Sequence, residues 1–168
     1  LMKACIATVN QEMIVKSNEN EEYAGMGTTF VAATVSDHKV TVMNIGDSRL
    51  YYGNKELKQI TVDHSYVEEL INAGMLDREQ GRLHPKKNVI TRALGSQAAT
   101  PDFFEFEAQE GYLLLCSDGL SNMISDDELK ELLLDHDQIA NKTNQMIARA
   151  NEYGGKDNIS LVIVDLKR

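Results

Sequence analysis

The spacing of apolar residues changes several times along the chain, and each spacing predicts a type of element. Residues 1–14 carry apolar side chains at helical intervals, which predicts an amphipathic helix. From residue 28 the spacing becomes two, in short segments rich in Val, Thr, Ile and Tyr: 28–35, 39–45, 49–52 and 57–61. This alternation predicts an antiparallel meander whose apolar face packs on a second sheet or on helices.

The remainder of the chain alternates between helical and strand patterns. Helical spacing predicts three further helices, over residues 65–73, 125–134 and 138–153. Apolar runs predict three further strands, over residues 103–107, 112–116 and 159–165. The long apolar run of the last strand favours a central place in a sheet. Residues 75–99 are charged and lack periodicity, which predicts a functional or mobile loop.

The composition is that of an ordinary globular protein. Its 168 residues are 42% hydrophobic and 26% charged, and this length predicts a single domain over residues 1–168. A formal net charge of -9 argues against a nucleic-acid partner and against an anionic membrane surface, because both need a basic face. No apolar run reaches membrane-spanning length, and no signal peptide is visible. Two cysteines are too few for a disulfide framework, so we expect a cytoplasmic location.

Three aspartates share one local setting, since each stands beside glycine near the end or the start of a predicted strand. They are Asp47, Asp118 and Asp157. Two carboxylates about 4 Å apart repel each other by about 4 kcal/mol at an effective dielectric of about 20. Either these acids are not neighbours and accept only turn hydrogen bonds, or cations lie between them. Sites built from carboxylate oxygens select magnesium, manganese or calcium.

Six short motifs, spread over residues 25–164, place these acids in a larger pattern. In chain order they are Gly25-Met26-Gly27-Thr28-Thr29, Ile45-Gly46-Asp47-Ser48-Arg49, Thr61-Val62-Asp63-His64-Ser65, Ile90-Thr91-Arg92-Ala93-Leu94-Gly95, Leu114-Leu115-Cys116-Ser117-Asp118-Gly119-Leu120 and Asp157-Asn158-Ile159-Ser160. In this order they resemble the metal-dependent (type 2C) protein serine/threonine phosphatases, the bacterial branch in particular. The resemblance implies an α+β fold in which two antiparallel β-sheets pack as a sandwich flanked by helices.

The resemblance also implies a metal centre with Mn2+ or Mg2+ as the cofactor. Asp118 and Asp157 resemble the two carboxylates that hold one of a pair of catalytic cations. Asp47 resembles the acid that helps to hold a third cation, with Asp118 shared. Asn122 stands where some relatives have a further acid, which leaves the ligand at that position open. The segment 74–98 resembles the flap beside the family's site, and the implied mechanism is attack on phosphate by a water that two cations activate.

Three residues are candidates for substrate contact, and each has a structural alternative. Arg49 either grips phosphate through its guanidinium or balances the site acids as a structural partner. Arg92 either touches substrate or braces the flap. His84 lies in the flap, where it is either solvated or in contact with substrate. We interpret His64 or Ser65 as the cap of the helix that follows them, with a direct catalytic role as the alternative for His64.

Two motifs that open the family's sequences, Arg-x-x-Asn-x-Asp and Asp-Gly-x-Gly-Gly, do not occur in this chain. Because Leu1 also stands inside a helical pattern without a cap, we expect the chain to lack N-terminal strands of the domain. We therefore expect a fragment of a protein phosphoserine/phosphothreonine phosphatase, inactive or weakly active alone, that self-associates through sheet edges.

Its substrates are expected to be proteins phosphorylated by a Ser/Thr kinase. The alternatives are a non-catalytic phosphatase-like binding or regulatory module and a calcium-stabilised structural domain.

Overall fold

The computed structural model of the chain describes the backbone of residues 2–167 and the side chains of residues 4–167. The strands in this range are β1 (Phe30–Ser36), β2 (Lys39–Ile45), β3 (Arg49–Gly53), β4 (Leu57–Gln59), β5 (Asp102–Glu107), β6 (Tyr112–Cys116) and β7 (Leu161–Asp165). The α-helices are α1 (Met2–Glu19), α2 (Tyr66–Asn72), α3 (Arg78–Leu83), α4 (Asp118–Ser121), α5 (Asp126–Leu134) and α6 (Ile139–Glu152). A 3-10 helix occupies Glu21–Tyr23.

The strands form two antiparallel sheets, which confirms the predicted α+β fold class. One sheet has the order β1-β2-β5, and the other has the order β4-β3-β6-β7. In the described residues no helix is long and apolar enough to cross a membrane. The chain folds into two compact units, and the single domain over residues 1–168 stays a prediction.

The first unit comprises residues 1–30, 43–47 and 63–103. Its core cluster joins α1 to the end of β2 and to the loop before β5, through Ile6, Met43, Ile45 and Leu94. Asn10 adds a hydrogen bond, since its Oδ1 accepts from the Gly95 N–H at 2.7 Å. Helix α1 is therefore fixed both by apolar burial and by a hydrogen bond to the loop.

The second unit comprises residues 31–42, 48–62 and 104–168 and contains the whole four-stranded sheet. Because side chains alternate across a strand, each face of this sheet has its own core. Leu50 and Leu113 pack with Val40 and Val42 of the other sheet, so the two sheets lie face to face. The opposite face buries Tyr51, Leu114 and Cys116 against α5 and α6, which contribute Leu129, Leu133 and Met146.

The predicted four-strand meander is wrong in its pairing, although its strands exist. Strand β2 pairs within the three-stranded sheet, whereas β3 pairs with β4 and β6 in the other sheet. The turn at Gly46-Asp47-Ser48 therefore carries the chain from one sheet to the other. An alternating pattern marks a strand but does not identify its partner, which is why the sequence could not separate a hairpin from a crossing between sheets.

The predicted central place of the last strand is also wrong, because β7 pairs with β6 at one end of the sheet order. Val162 and Val164 lie opposite Leu115 and Leu113, on the face that the second sheet covers elsewhere. They are nevertheless 57% and 37% exposed. An apolar run thus predicted burial that the fold of the described residues does not provide.

Two local differences concern helices. The charged stretch that was predicted as a loop contains α3, which begins at a capping box formed by Asp77 and Gln80. The first helix ends at Glu19, beyond the predicted residue 14. Ser65 caps α2 by accepting a hydrogen bond from the Glu68 N–H, as one of the two capping interpretations predicted.

Helices α5 and α6 are joined by a buried cation. Lys142 on α6 has 0% relative exposure, and its Nζ donates a hydrogen bond to the Leu133 carbonyl at 2.6 Å. This carbonyl lies in the last turn of α5, where no intrahelical partner is available. The same Nζ lies 4.0 Å from the centroid of the Tyr112 ring, a cation–π distance.

We expect the substitution Lys142→Met to lower the free energy of unfolding by about 1–3 kcal/mol, because it leaves the buried carbonyl unpaired. Lys130→Met is the matched control, since Lys130 on α5 makes an ion pair with an exposed glutamate, Glu56. Its effect should stay within about 0.5 kcal/mol. Urea unfolding of both variants measures the difference, and equal losses would contradict the structural role of Lys142.

Candidate metal site

Asp118 is the first residue of α4, directly behind the end of β6. The residue before it, Ser117, ties this end of the sheet to the segment that precedes β7. Its N–H donates to the Ser160 carbonyl at 2.9 Å, and its Oγ donates to the Asn158 carbonyl at 3.1 Å. These hydrogen bonds hold the end of β6 against the segment that contains Asn158 and Ser160.

The backbone beside Asp157 packs directly on Gly119. A Cβ added to Gly119 would lie 2.3 Å from the Asn158 carbonyl oxygen and 3.4 Å from the Asp157 carbonyl carbon. A larger residue at position 119 would therefore push this segment away. The close approach brings the acid that follows β6 and the acid that precedes β7 to the same end of the sheet.

The electrostatic setting of Asp118 is unfavourable for its ionised form. Burial of this half-exposed carboxyl raises its pKa, and the negative charge of Asp157 raises it further. The Gly119 N–H and the charge of Arg49 oppose these effects without cancelling them. Asn122 donates to Asp118 Oδ2 at 3.2 Å, so it contributes a neutral partner at the position that was left open. Asp118 and Asp157 are therefore neighbours that repel each other.

A pair of carboxylates with a repulsive interaction fits a hard divalent cation such as Mn2+ or Mg2+, which prefers oxygen ligands. Within residues 2–167, no group of three or more His, Cys, Asp and Glu side chains is arranged to hold a metal ion. The second unit thus offers two carboxylates and an amide beside them. Asp47 belongs to the first unit, where it follows β2 in a half-buried position.

Arg49 lies on β3, opposite Cys116 in the register. Its Nη1 donates to the Tyr51 hydroxyl at 2.9 Å, and this hydroxyl donates to Asp126 Oδ1 at 3.2 Å. Burial raises the pKa of the Tyr51 hydroxyl well above its usual value, so it keeps its proton. Asp126 and Tyr51 hold the guanidinium near the end of β6, where its charge acts on Asp118.

The remaining candidates for substrate contact lie in the first unit. Arg92 donates from Nη1 to Asp102 Oδ1 at 3.0 Å, and Asp102 also binds the His64 ring at 3.0 Å. Arg92 thus has a structural partner in Asp102, and its contact with substrate stays a prediction. His84 is the C-cap of α3 and is half-buried, and its Nδ1 accepts a hydrogen bond from the Lys86 N–H at 3.1 Å. Its two alternatives, solvation and substrate contact, stay predictions.

Sequence reasoning missed three residues that organise these surroundings. Tyr51 stands two positions after Arg49, and this period-two spacing on one strand face could have identified it. Asp102 and Asp126 carried no such signal. Their partners are distant in the chain, and one sequence does not show which distant residues meet.

Comparisons with known proteins agree with the fold. A family model described as Protein phosphatase 2C matches residues 1–161. The chain is 40% identical over 167 residues to the serine/threonine phosphatase stp of Listeria monocytogenes. It is 38% identical over 161 residues to the protein phosphatase PhpP of Streptococcus pneumoniae. These matches cover 98% and 94% of this chain, but only 66% and 65% of the relatives, so the chain spans about two thirds of their length.

Solved structures show the same similarity. The serine/threonine phosphatase Stp1 from Staphylococcus aureus superposes with a TM-score of 0.91 at 37% identity, covering 95% of this chain and 64% of that one. The catalytic domain of the serine/threonine phosphatase PstP, crystallised with two manganese ions, gives a TM-score of 0.83 at 32% identity. That match covers 93% of this chain and 66% of the catalytic-domain chain.

The acid-base properties of Asp102 lead to a pH prediction. Partial burial opposes ionisation, but hydrogen bonds and positive charge from His64 and Arg92 outweigh it and lower the pKa of Asp102. A carboxyl with a lowered pKa in the folded state stabilises the fold above its unfolded pKa of about 3.9 and loses that contribution as the pH falls. We therefore expect Asp102→Asn to lower the melting temperature at pH 7, and the difference from wild type to shrink below about pH 4. Thermal unfolding between pH 3 and 7 measures this, and a difference independent of pH would contradict it.

Proposed function

Because the chain belongs to the protein phosphatase 2C family, we propose that its residues serve the hydrolysis of phosphoserine and phosphothreonine on proteins, with Mn2+ or Mg2+ as the cofactor. The observation that carries this proposal is the packing of the segment before β7 on Gly119, which places Asp157 beside Asp118. A cation would relieve the repulsion between these two acids. When bound, divalent cations supply Lewis acidity, which activates water and neutralises the charge of a phosphoryl group. We further propose that Asp47 contributes a carboxylate to a cation.

The chain's own residues have distinct tasks in this proposal. Asp118 and Asp157 hold the cation, and Ser117 keeps their two segments together through its hydrogen bonds. Arg49 supplies a positive charge that Tyr51 orients, and a guanidinium matches the geometry of phosphate oxygens. Arg92 and His84 remain proposed substrate contacts of the flap. No nucleophilic side chain is needed, since water is the attacking group.

The proposed partners are phosphorylated proteins, the targets of a Ser/Thr kinase. The relatives are named as serine/threonine and protein phosphatases, which supports this substrate class. The net charge of -9 disfavours nucleic acid as a partner. The cytoplasmic location stays a prediction from the sequence.

The repulsion between the two acids predicts opposite effects of Asp118→Asn with and without metal. A carboxyl whose pKa is raised in the folded state destabilises the fold once the pH exceeds that pKa. At neutral pH, the metal-free Asp118→Asn variant should therefore melt above the metal-free wild type. Mn2+ should raise the melting temperature of the wild type, because it binds the folded state, and should raise that of the variant much less.

Asp127→Asn is the matched control, because Asp127 is an exposed acid on α5 whose removal leaves the pair intact. Its response to Mn2+ should equal that of the wild type. The same three proteins are then assayed on a phosphothreonine peptide. Turnover that survives Asp118→Asn would contradict the enzymatic proposal, and tight peptide binding that is independent of Mn2+ would favour the non-catalytic module.

We also propose that this chain self-associates through β7, which presents its edge together with exposed Val162 and Val164. Exposed edge strands pair readily with another chain, and a charge on the edge opposes such pairing. Wild-type protein should therefore show a concentration-dependent dimer in light scattering, and Val162→Lys should shift it to monomer. A wild type that stays monomeric at high concentration would refute this proposal.

A further inference from the structure

Gly46, the residue that precedes Asp47, has both of its backbone polar groups bound by one histidine. Gly46 donates its N–H to His64 Nδ1 at 3.0 Å, and its carbonyl accepts from the His64 N–H at 2.9 Å. The Asn44 side chain donates to the same carbonyl at 3.1 Å. Gly46 has a φ of 107°, and an added Cβ would lie 2.4 Å from Thr29 Cγ2, so only glycine fits here.

The hydrogen bonds define the tautomer of His64. A backbone N–H can only donate, so Nδ1 must be the acceptor and Nε2 must carry the proton. Nε2 then donates to Asp102 Oδ2 at 3.0 Å, and Arg92 holds the other oxygen of this carboxylate at 3.0 Å. The His64 side chain is 4% exposed, which leaves little room for water to replace these partners. Asp102 and Arg92 thus keep the acceptor nitrogen turned towards Gly46.

We propose that His64 is a positioning residue for Asp47: it fixes the Gly46 peptide and so sets the direction in which the Asp47 carboxylate approaches a cation. This inference rests on the proposed role of Asp47 as a cation ligand. His64 acts through the backbone of the neighbouring residue and needs no contact with metal or substrate. Groups that orient a metal ligand typically change metal affinity by about 10–100-fold when they are removed.

A merely structural role for His64 makes a different prediction. If the ring only filled space and anchored Asp102, then loss of the Nε2 contact would change the Mn2+ affinity and loss of the Nδ1 contact would not. The two contacts can be separated by substitution. In His64→Asn, the side-chain oxygen reaches about as far as Nδ1 and can still accept from Gly46. In His64→Gln, the terminal amide reaches about as far as Nε2 and can still donate to Asp102.

The test uses the whole chain and Mn2+ alone, whose paramagnetism broadens the NMR signals of nearby nuclei. In the wild type, titration with Mn2+ should broaden the Asp47 amide signal. His64→Gln should weaken this apparent affinity by about tenfold or more, whereas His64→Asn should keep most of it. Without metal, the Gly46 amide should be protected from hydrogen exchange in the wild type and in His64→Asn, but not in His64→Gln.

The outcomes distinguish this inference from the function on which it rests. Absence of broadening at Asp47 in the wild type would overturn the cation role of Asp47 and the inference with it. Broadening in the wild type with equal affinity in both variants, or greater loss in His64→Asn, would overturn the positioning role alone. If His64→Gln does not fold, His64→Asn alone keeps the inference testable, because it retains the acceptor for the Gly46 N–H and removes the donor to Asp102. A loss of Mn2+ affinity of about tenfold or more in His64→Asn would then overturn the positioning role.

Discussion

Repulsion between two carboxylates is the interaction around which the candidate site is built. Burial and the negative charge of Asp157 both raise the pKa of Asp118, so the ionised form of Asp118 is disfavoured where it stands. The hydrogen bonds of Ser117 and the close packing on Gly119 prevent the two segments from separating. The fold therefore keeps the two acids close despite their repulsion, and we propose that a divalent cation relieves this repulsion.

A site of this kind needs strand ends that stay where they are. The four-stranded sheet meets that need because its inner strands are covered on both faces, by the other sheet and by α5 and α6. The polar contacts around Arg49 extend the same rigidity to the charge beside the site, since Tyr51 and Asp126 restrict the guanidinium. In the first unit, hydrogen bonds also restrict the backbone beside Asp47. Asp102 orients the His64 ring, and the ring binds the Gly46 N–H.

Sequence analysis predicted the positions of the helices and strands better than it predicted which strands pair with each other. The strands that end near Asp47 and Asp118 lie where their patterns predicted, and the family resemblance predicted the two sheets. The pairing of β2 with β3 and the central place of β7 were wrong, because alternation and apolar runs report burial along one strand only. Helix α3 was missed because its charged residues hide a short helix whose only local signal is the Asp77 capping box.

What the sequence determined by itself is local or combinatorial: the period of each strand, the acids beside glycine, and an ordered set of motifs specific enough to indicate the family. Tertiary structure alone decided which of these residues are neighbours. It brought Asp157 beside Asp118, linked Tyr51 to Asp126, and turned the acceptor nitrogen of His64 towards Gly46. The physical reason is that backbone preference and burial are encoded residue by residue, whereas contacts between distant segments depend on how whole sheets and helices pack.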